Sequence, residues 1–175
     1  MIAQETWSAS FRPSLHFPTR KVFNHPLRIG NGVEVTVDYS VGKQTKTYAG
    51  LIWNRFDVDQ GFNEADIEYI QRGFVFGAMY FFKVLPNQKN PLYIKAGLSF
   101  MDVKARSDDA TLNINTRWAL GTQLGLGMKI ASLERLYILP ELRYGSTSNA
   151  YNSQGSQQSL SFGNVTISGG LMYIF

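Results

Sequence analysis

The chain has 175 residues, a length that fits one domain. It contains no cysteine, which excludes a disulfide framework and a thiolate metal site. The formal net charge of +4 is far below that of the basic stripes that bind nucleic acid, so no nucleic-acid partner is expected. The longest apolar stretch, 74–82, is much shorter than the roughly 18 residues of a membrane-spanning helix, which excludes a helical span.

Three strands are predicted in the first third of the chain, over 6–17, 32–41 and 47–58. Apolar and polar residues alternate in the first two, and neighbouring side chains of a strand point to opposite faces. The third strand carries apolar residues on both faces. We assign Tyr48, Ile52, Phe56 and Val58 to its apolar face, because this choice turns Arg55 away from that face.

Three more strands are predicted over 73–82, 92–100 and 118–130. The third of these has the clearest alternation in the chain. Trp118, Leu120 and Leu124 lie on one face, and Gly121 and Gly125 lie on the other. The pattern indicates one apolar face and one face of small residues.

The last two strands are predicted over 136–145 and 165–175. The chain ends on an apolar strand with the aromatic Phe175, and in this it resembles the closing strand of a bacterial outer-membrane β-barrel. Pro13 and Pro140 lie inside predicted strands. We expect both prolines to mark bulges, because proline cannot donate to a strand ladder.

The connections between these eight strands alternate between long loops and short turns. The long ones are 18–28, 59–66, 104–111 and 146–158. An even number of strands with long loops on one side is typical of outer-membrane barrels. The sequence therefore predicts an all-β fold, an eight-stranded antiparallel up-and-down transmembrane β-barrel. We expect one barrel domain over 4–175 and interpret Met1–Ala3 as a signal-peptide remnant.

A soluble lipocalin-like barrel also alternates, but its apolar face points inward. Here the less apolar face is mainly glycine, serine, alanine and threonine, which suits the narrow interior of an eight-stranded barrel. Aromatic residues cluster at strand ends, as they do at the two interfaces of a bilayer. The predicted membrane girdle contains Trp7, Phe74, Phe100, Trp118, Tyr144, Tyr173 and Phe175.

Charged residues on the less apolar face predict an ion-pair network inside the barrel. Its predicted members are Arg12, Glu34, Asp38, Lys95, Arg117, Glu141 and Arg143. We expect the arginines to pair with the carboxylates, because charges in a narrow lumen must be compensated.

Several short motifs resemble one family across nearly the whole chain. They are Ser10–Thr19, Tyr48–Gly50, Asn54–Phe56, Gly121–Gly127 and Glu141–Tyr144. Together they resemble the small outer-membrane β-barrel domain family of Bacteroidetes-type bacteria. The resemblance implies an outer-membrane location and carries no common catalytic signature.

Ser14 and His16 share one face beside Arg12, and serine with histidine is a pair that can transfer acyl groups. However, side chains two residues apart on a strand are separated by about 6–7 Å, which is long for a direct hydrogen bond. No acid is placed to orient His16, and this face points into the lumen. We therefore predict no catalytic residue.

The acidic segment 57–68 begins and ends like a calcium-binding loop. It has Phe62 at the position where the sharp turn requires glycine, so its geometry does not match. We interpret the segment as an acidic outer loop, and we predict neither a metal nor a cofactor.

The first long loop carries a positive cluster, Arg20, Lys21 and Arg28. Unlike charges on neighbouring loops suit contacts with outer-membrane lipid, with lipopolysaccharide or with another envelope protein. The sequence therefore predicts a structural or interaction protein that acts through its extracellular loops without catalysis. A lipid A-modifying enzyme and a small-solute pore are the alternatives.

Overall fold

The computed structural model describes residues 7–21, 26–58, 67–84, 89–107, 114–153 and 156–175. The predictions for Met1–Ala3 and for the loop 59–66 lie outside the described residues. In the described ranges there is no helix long and apolar enough to cross a membrane.

The structure is all-β and is built from a series of long antiparallel strands. Their bounds are β1 Trp7–Pro18, β2 Gly30–Ser40, β3 Thr45–Asp57, β4 Ile67–Phe82, β5 Leu92–Ser107, β6 Ile114–Asn115, β7 Ala119–Met128, β8 Ile130–Ala131, β9 Leu136–Ser153 and β10 Ser156–Ile174. The two-residue β6 pairs with β5. The two-residue β8 follows β7 and, like β7, pairs with β9. Eight long strands therefore form the wall.

The wall is closed, because each long strand pairs with the next and β10 pairs with β1. Closure leaves no edge strand with unpaired backbone groups in the membrane. The predicted fold class, an eight-stranded up-and-down β-barrel, is confirmed. We call the end with the connections 41–44 and 132–135 the short-turn end, and the opposite end the long-loop end.

The two strand prolines interrupt the ladder without shifting its register. Pairing of β1 with β10 stops after Phe11 and resumes at Ser14 in the same register, so only the ladder bonds around Pro13 are missing. Pro140 likewise separates the β7–β9 pairing from the β8–β9 pairing, again in one register. A bulge would add a residue and change the register. The predicted bulges at both prolines are therefore wrong.

Along most strands the large apolar side chains point outward and the small or polar ones point inward, as predicted. The outward face forms a continuous apolar belt, which is the surface that lipid covers in a membrane barrel. Soluble monomers rarely expose an apolar surface of this extent. The belt therefore supports the membrane assignment.

The predicted facing of β3 is wrong. Tyr48, Ile52 and Phe56 point into the lumen and are at most 7% exposed, whereas Leu51 and Trp53 point outward and are 58% and 39% exposed. Arg55 also points outward, but it lies beyond the apolar belt, where its Nε is 2.7 Å from Glu68 Oε1. Turning Arg55 outward therefore does not place its charge in lipid.

Several strands run much further toward the long-loop end than the alternation predicts. β4 begins at Ile67, β5 continues to Ser107, and β9 and β10 together include most of 146–158, which we predicted as a loop. Polar side chains stabilise this extension, since Ser148 Oγ bonds Ser161 Oγ at 2.9 Å. Strand pairing through the backbone needs no apolar alternation once the wall has left the membrane.

Candidate functional site

The interior of the barrel is filled by side chains, and its centre is an ion-pair network around Glu34. Glu34 contacts Arg12 at 3.3 Å and forms short salt bridges with Lys95 and Arg143. All four residues are at most 4% exposed. One carboxylate on β2 thus bridges three cations that come from three other strands, β1, β5 and β9.

Glu141 is the second anion of the network. Its carboxylate lies 3.9 Å from Arg12 Nε and 3.8 Å from Arg143 Nη1, and it accepts a hydrogen bond of 2.9 Å from Tyr93 Oη. Arg143 also donates to Gln123 Oε1 at 3.1 Å. The cations and carboxylates therefore compensate one another across the lumen, as buried charges must.

Asp38 lies in the lumen as predicted, but it accepts its hydrogen bonds from hydroxyl groups. Ser10 Oγ donates to it at 2.9 Å, Thr36 Oγ1 at 3.0 Å and Ser8 Oγ at 3.3 Å. Lys46 Nζ donates to the same Ser8 at 2.8 Å. Asp38 therefore belongs to a polar layer closer to the short-turn end, and it does not pair with an arginine as we expected.

Arg117 does not belong to the lumen network, which corrects the prediction. Its side chain is exposed, and it precedes β7, which begins only at Ala119. Its backbone N–H donates to the carbonyl of Ala150 and its carbonyl accepts from Asn149 Nδ2. The alternation of β7 cannot be extended to a residue that lies above the strand.

Two lumenal tyrosines cross the barrel over glycines. A Cβ on Gly97 would collide with the Tyr48 hydroxyl, and a Cβ on Gly127 would lie 2.5 Å from the Tyr93 hydroxyl. Tyr48 accepts a hydrogen bond of 2.9 Å from Gln123 Nε2, and Lys95 Nζ lies 4.5 Å from its ring centre. The inward glycines thus leave the space that the two tyrosine rings occupy. The inward glycines of β5 and β7 are the sequence signal for this packing, and it was not used in the sequence analysis.

Ser14 and His16 are hydrogen-bonded, contrary to the expected separation. Ser14 Oγ lies 3.0 Å from His16 Nε2, and Thr166 Oγ1 lies 2.9 Å from His16 Nδ1. The imidazole also packs on Phe56, with ring centres 5.5 Å apart. Among the described residues no carboxylate is bonded to His16, so the pair lacks the acid that would orient a catalytic histidine.

A small polar cavity adjoins this pair in the lumen. Its volume is about 30 Å³, and its lining includes His16, Asn54, Gln71, Gln123 and Arg143. This volume holds about two water molecules and is far too small for a lipid acyl chain.

An apolar cluster closes the lumen above the cavity, toward the long-loop end. It consists of Phe56, Val58, Tyr69, Val103, Ala105, Leu160 and Phe162, all at most 4% exposed. Most of these residues come from the extended parts of the strands, so the extension has a core of its own. A second cluster, which includes Met79, Leu139 and Met172, fills the half near the short-turn end.

All seven predicted girdle residues point outward, with exposed fractions between 40% and 65%. Trp118 stacks on Phe100 at 5.1 Å and on Phe74 at 6.0 Å between ring centres, near the long-loop end. The rings of Tyr173 and Phe175 pack edge to face near the other end, with their centres 5.4 Å apart. Two aromatic levels at opposite ends of the apolar belt are typical of membrane barrels.

The predicted loop residues Arg20, Lys21 and Arg28 are exposed at the long-loop end. The backbone anchors both ends of their loop: Thr19 N–H donates to Gly163 O at 2.8 Å, and Arg28 N–H donates to Asp57 O at 2.8 Å. Within the described ranges no cluster of three metal-ligating side chains occurs.

Several solved structures of outer-membrane proteins have a similar architecture. Neisserial surface protein A has a TM-score of 0.62 and 13% identity, covering 98% of both chains. The outer membrane protein AlkL has a TM-score of 0.61 and 13% identity, covering 98% of this chain and 90% of its own. Ail of Yersinia pestis, in complex with the heparin analogue sucrose octasulfate, has a TM-score of 0.51 and 12% identity, covering 96% and 97%.

The chain has the fold of the small eight-stranded outer-membrane β-barrels. This fold and the apolar belt together agree with the outer-membrane location predicted from the sequence. No protein-family model matches the chain, and no curated protein sequence matches it. The narrower resemblance to a Bacteroidetes-type family therefore has no support.

Proposed function

We propose that this barrel is a closed mount that acts as a structural or interaction protein through its long-loop end, which faces the cell exterior, without catalysis. The observation that carries the proposal is the filled lumen. The ion-pair network crosses its centre, and apolar clusters occupy the regions on either side. A barrel without an open path through its lumen can act only through its surfaces. On a rigid scaffold the sequences of the connecting loops vary most easily, so the loops are the surfaces where function is expected.

The filled lumen argues against the small-solute pore. We expect the purified monomer, inserted into a planar bilayer, to give no steady conductance, because moving Arg12, Glu34 or Arg143 aside would leave buried charges uncompensated. A large open porin in the same bilayer provides the positive control. Stable unitary currents from the monomer would contradict a closed interior.

The location of Ser14 and His16 argues against the lipid A-modifying enzyme. Both side chains face the lumen, whereas a lipid substrate reaches a barrel from its outer wall. The adjoining cavity of about 30 Å³ admits no acyl chain. The hydrogen bond between the two residues is better explained as polar packing that satisfies buried groups.

The positive cluster Arg20, Lys21 and Arg28 is the surface that we assign to partner contacts. Both ends of its loop are held against the wall, which limits the ordering entropy that binding must overcome. Exposed cations favour anionic partners, here the head groups of lipopolysaccharide or an acidic envelope protein. Ail, of the same fold, binds the polyanion sucrose octasulfate, which makes this compound a suitable probe.

Replacing Arg20, Lys21 and Arg28 together with glutamine is expected to weaken binding to sucrose octasulfate and to lipopolysaccharide-containing vesicles. We expect a loss of at least about threefold at low salt, which disappears near 1 M salt because exposed charges are then screened. Binding is measured by calorimetry with the barrel in nanodiscs, and folding by the mobility of the unboiled protein on a gel.

The matched control replaces Lys43, Lys83 and Lys89 with glutamine, since these lysines are exposed near the short-turn end. The net charge changes equally in both variants. Equal losses in the two variants would indicate a general charge effect. An unchanged affinity in the first variant would show that the basic loop is not the binding surface.

A further inference from the structure

The outer wall of the barrel contains a groove within the apolar belt. Its volume is about 430 Å³, which falls within the usual range of ligand pockets, and it lies across β2, β3 and β4. The outward side chains that line it are Val33, Val35, Leu51, Trp53, Arg72, Phe74 and Trp118. The lining is therefore apolar except at one residue, Arg72.

The aromatic stack explains why the groove is open. Phe74 stacks on Trp118, and Trp118 stacks on Phe100. Leu51 pairs directly with Phe74 across β3 and β4. Because the Phe74 ring packs toward Trp118, the space between it and Leu51 is left open.

Arg72 stands at the end of the groove nearer the long loops. It pairs with Trp53 on β3 and with Asp102 on β5. Its Nε lies 3.1 Å and 3.3 Å from the two Asp102 oxygens, and its Nη2 lies 3.3 Å from Oδ2. The Asp102 side chain is 10% exposed and the Arg72 side chain 53% exposed.

This geometry orients the guanidinium and leaves it able to bind a second anion. A guanidinium has five N–H donors, and the contacts with Asp102 use only Nε and Nη2. The buried carboxylate holds the side chain in one orientation, which reduces the entropy lost on binding.

The height of Arg72 in the wall indicates what this second anion is. Arg72 lies two residues beyond the girdle residue Phe74, which is about 7 Å along the strand. That distance places the guanidinium at the level of the lipid head groups, with the apolar groove directed toward the membrane interior. Lys104, which pairs with Ile70, adds a further cation in the next row, whereas Arg55 on the other side of Ile70 forms ion pairs with Asp57 and Glu68.

We propose that this groove binds a phosphate-bearing acylated lipid of the outer leaflet, with the phosphate on Arg72 and an acyl chain between Leu51 and Phe74. The chemistry is that of a phosphorylated glycolipid such as lipid A. Arginine binds phosphate through two parallel N–H donors, which gives the contact geometric specificity. The site does not involve the loop cations Arg20, Lys21 and Arg28. It therefore rests on the orientation given in the proposed function, with the long loops at the cell exterior, but not on the proposed loop contacts.

The test measures lipid retention by native mass spectrometry of the barrel after detergent exchange. The probes are bis-phosphorylated lipid A and the same lipid with its phosphates removed. We expect the wild-type barrel to retain the phosphorylated lipid at least about tenfold better, because charged hydrogen bonds to phosphate are lost with the second probe. Equal retention of the two lipids would overturn the proposal without any mutation.

Three substitutions locate the contact. Arg72→Gln is expected to abolish the preference for the phosphorylated lipid. Asp102→Asn is expected to keep the preference, because the amide oxygen of asparagine can still accept a hydrogen bond from the guanidinium and hold it in place. Arg55→Gln is the matched control, because Arg55 is similarly exposed on the same wall but does not line the groove. A preference that survives in Arg72→Gln, or one lost equally in Asp102→Asn, would contradict the assignment to Arg72.

Discussion

Replacing Glu34 with alanine is expected to destabilise the barrel by about 3–5 kcal/mol, because removal of one partner leaves buried charges uncompensated. Glu34 is the carboxylate shared by Arg12, Lys95 and Arg143. Without it, the nearest carboxylate that the described residues offer to the two arginines is Glu141, 3.9 Å from Arg12 and 3.8 Å from Arg143. The measurement is urea unfolding of the barrel in lipid vesicles, followed by tryptophan fluorescence and by mobility of the unboiled protein on a gel.

The control for this prediction is Lys95→Met, at a site that is equally buried. This variant leaves the two arginines with the two glutamates, so the charges of the network are balanced. We expect a clearly smaller loss than for Glu34→Ala. If Glu34→Ala were as stable as the wild type, the network would not be needed to hold the wall together.

Substituting Gly97 with alanine is expected to destabilise the barrel by at least about 1–3 kcal/mol, the usual cost of overpacking. The added Cβ would lie 2.5 Å from the carbonyl oxygen of Phe76 and would collide with the Tyr48 hydroxyl. The backbone of a paired strand cannot move away without breaking ladder bonds, so Tyr48 and the wall must both shift. The same urea titration measures the effect.

Gly125→Ala provides the matched control, since Gly125 also faces the lumen. Its Cβ would meet the Leu142 carbonyl oxygen at 3.4 Å and the Arg143 Cβ at 3.5 Å, which are ordinary contacts. We expect little change in stability. Equal effects at the two glycines would show that loss of glycine, and not the collision with Tyr48, decides the outcome.

The filled lumen connects stability with the proposed function. The charges that close the barrel come from strands far apart in sequence; Arg143 and Glu34, for example, are separated by 109 residues. A rigid wall can hold long strand extensions above the membrane, and the loops attached to them are therefore presented in defined positions. The basic loop residues Arg20, Lys21 and Arg28 depend on this support.

The sequence by itself predicted the closed barrel, the outward girdle and most members of the lumen network. These features follow from a period of two residues, which is local and can be seen in a single strand. Where one face is apolar and the other is small or polar, as in β7, the pattern leaves one reasonable facing. Arg12, Glu34, Lys95, Glu141 and Arg143 all lie inside for this reason.

Only the tertiary structure decided the features that depend on distant neighbours. β3 has apolar residues on both faces, and its facing is determined by Tyr48, which needs the space above Gly77 and Gly97. The ends of β4, β5, β9 and β10 follow from backbone pairing above the membrane, where alternation is not required. The partners of Glu34, and the pairing of Arg72 with Asp102, likewise depend on which strands closure brings together. Alternation assigns a side chain to a face, but the register of the closed wall determines what it meets there.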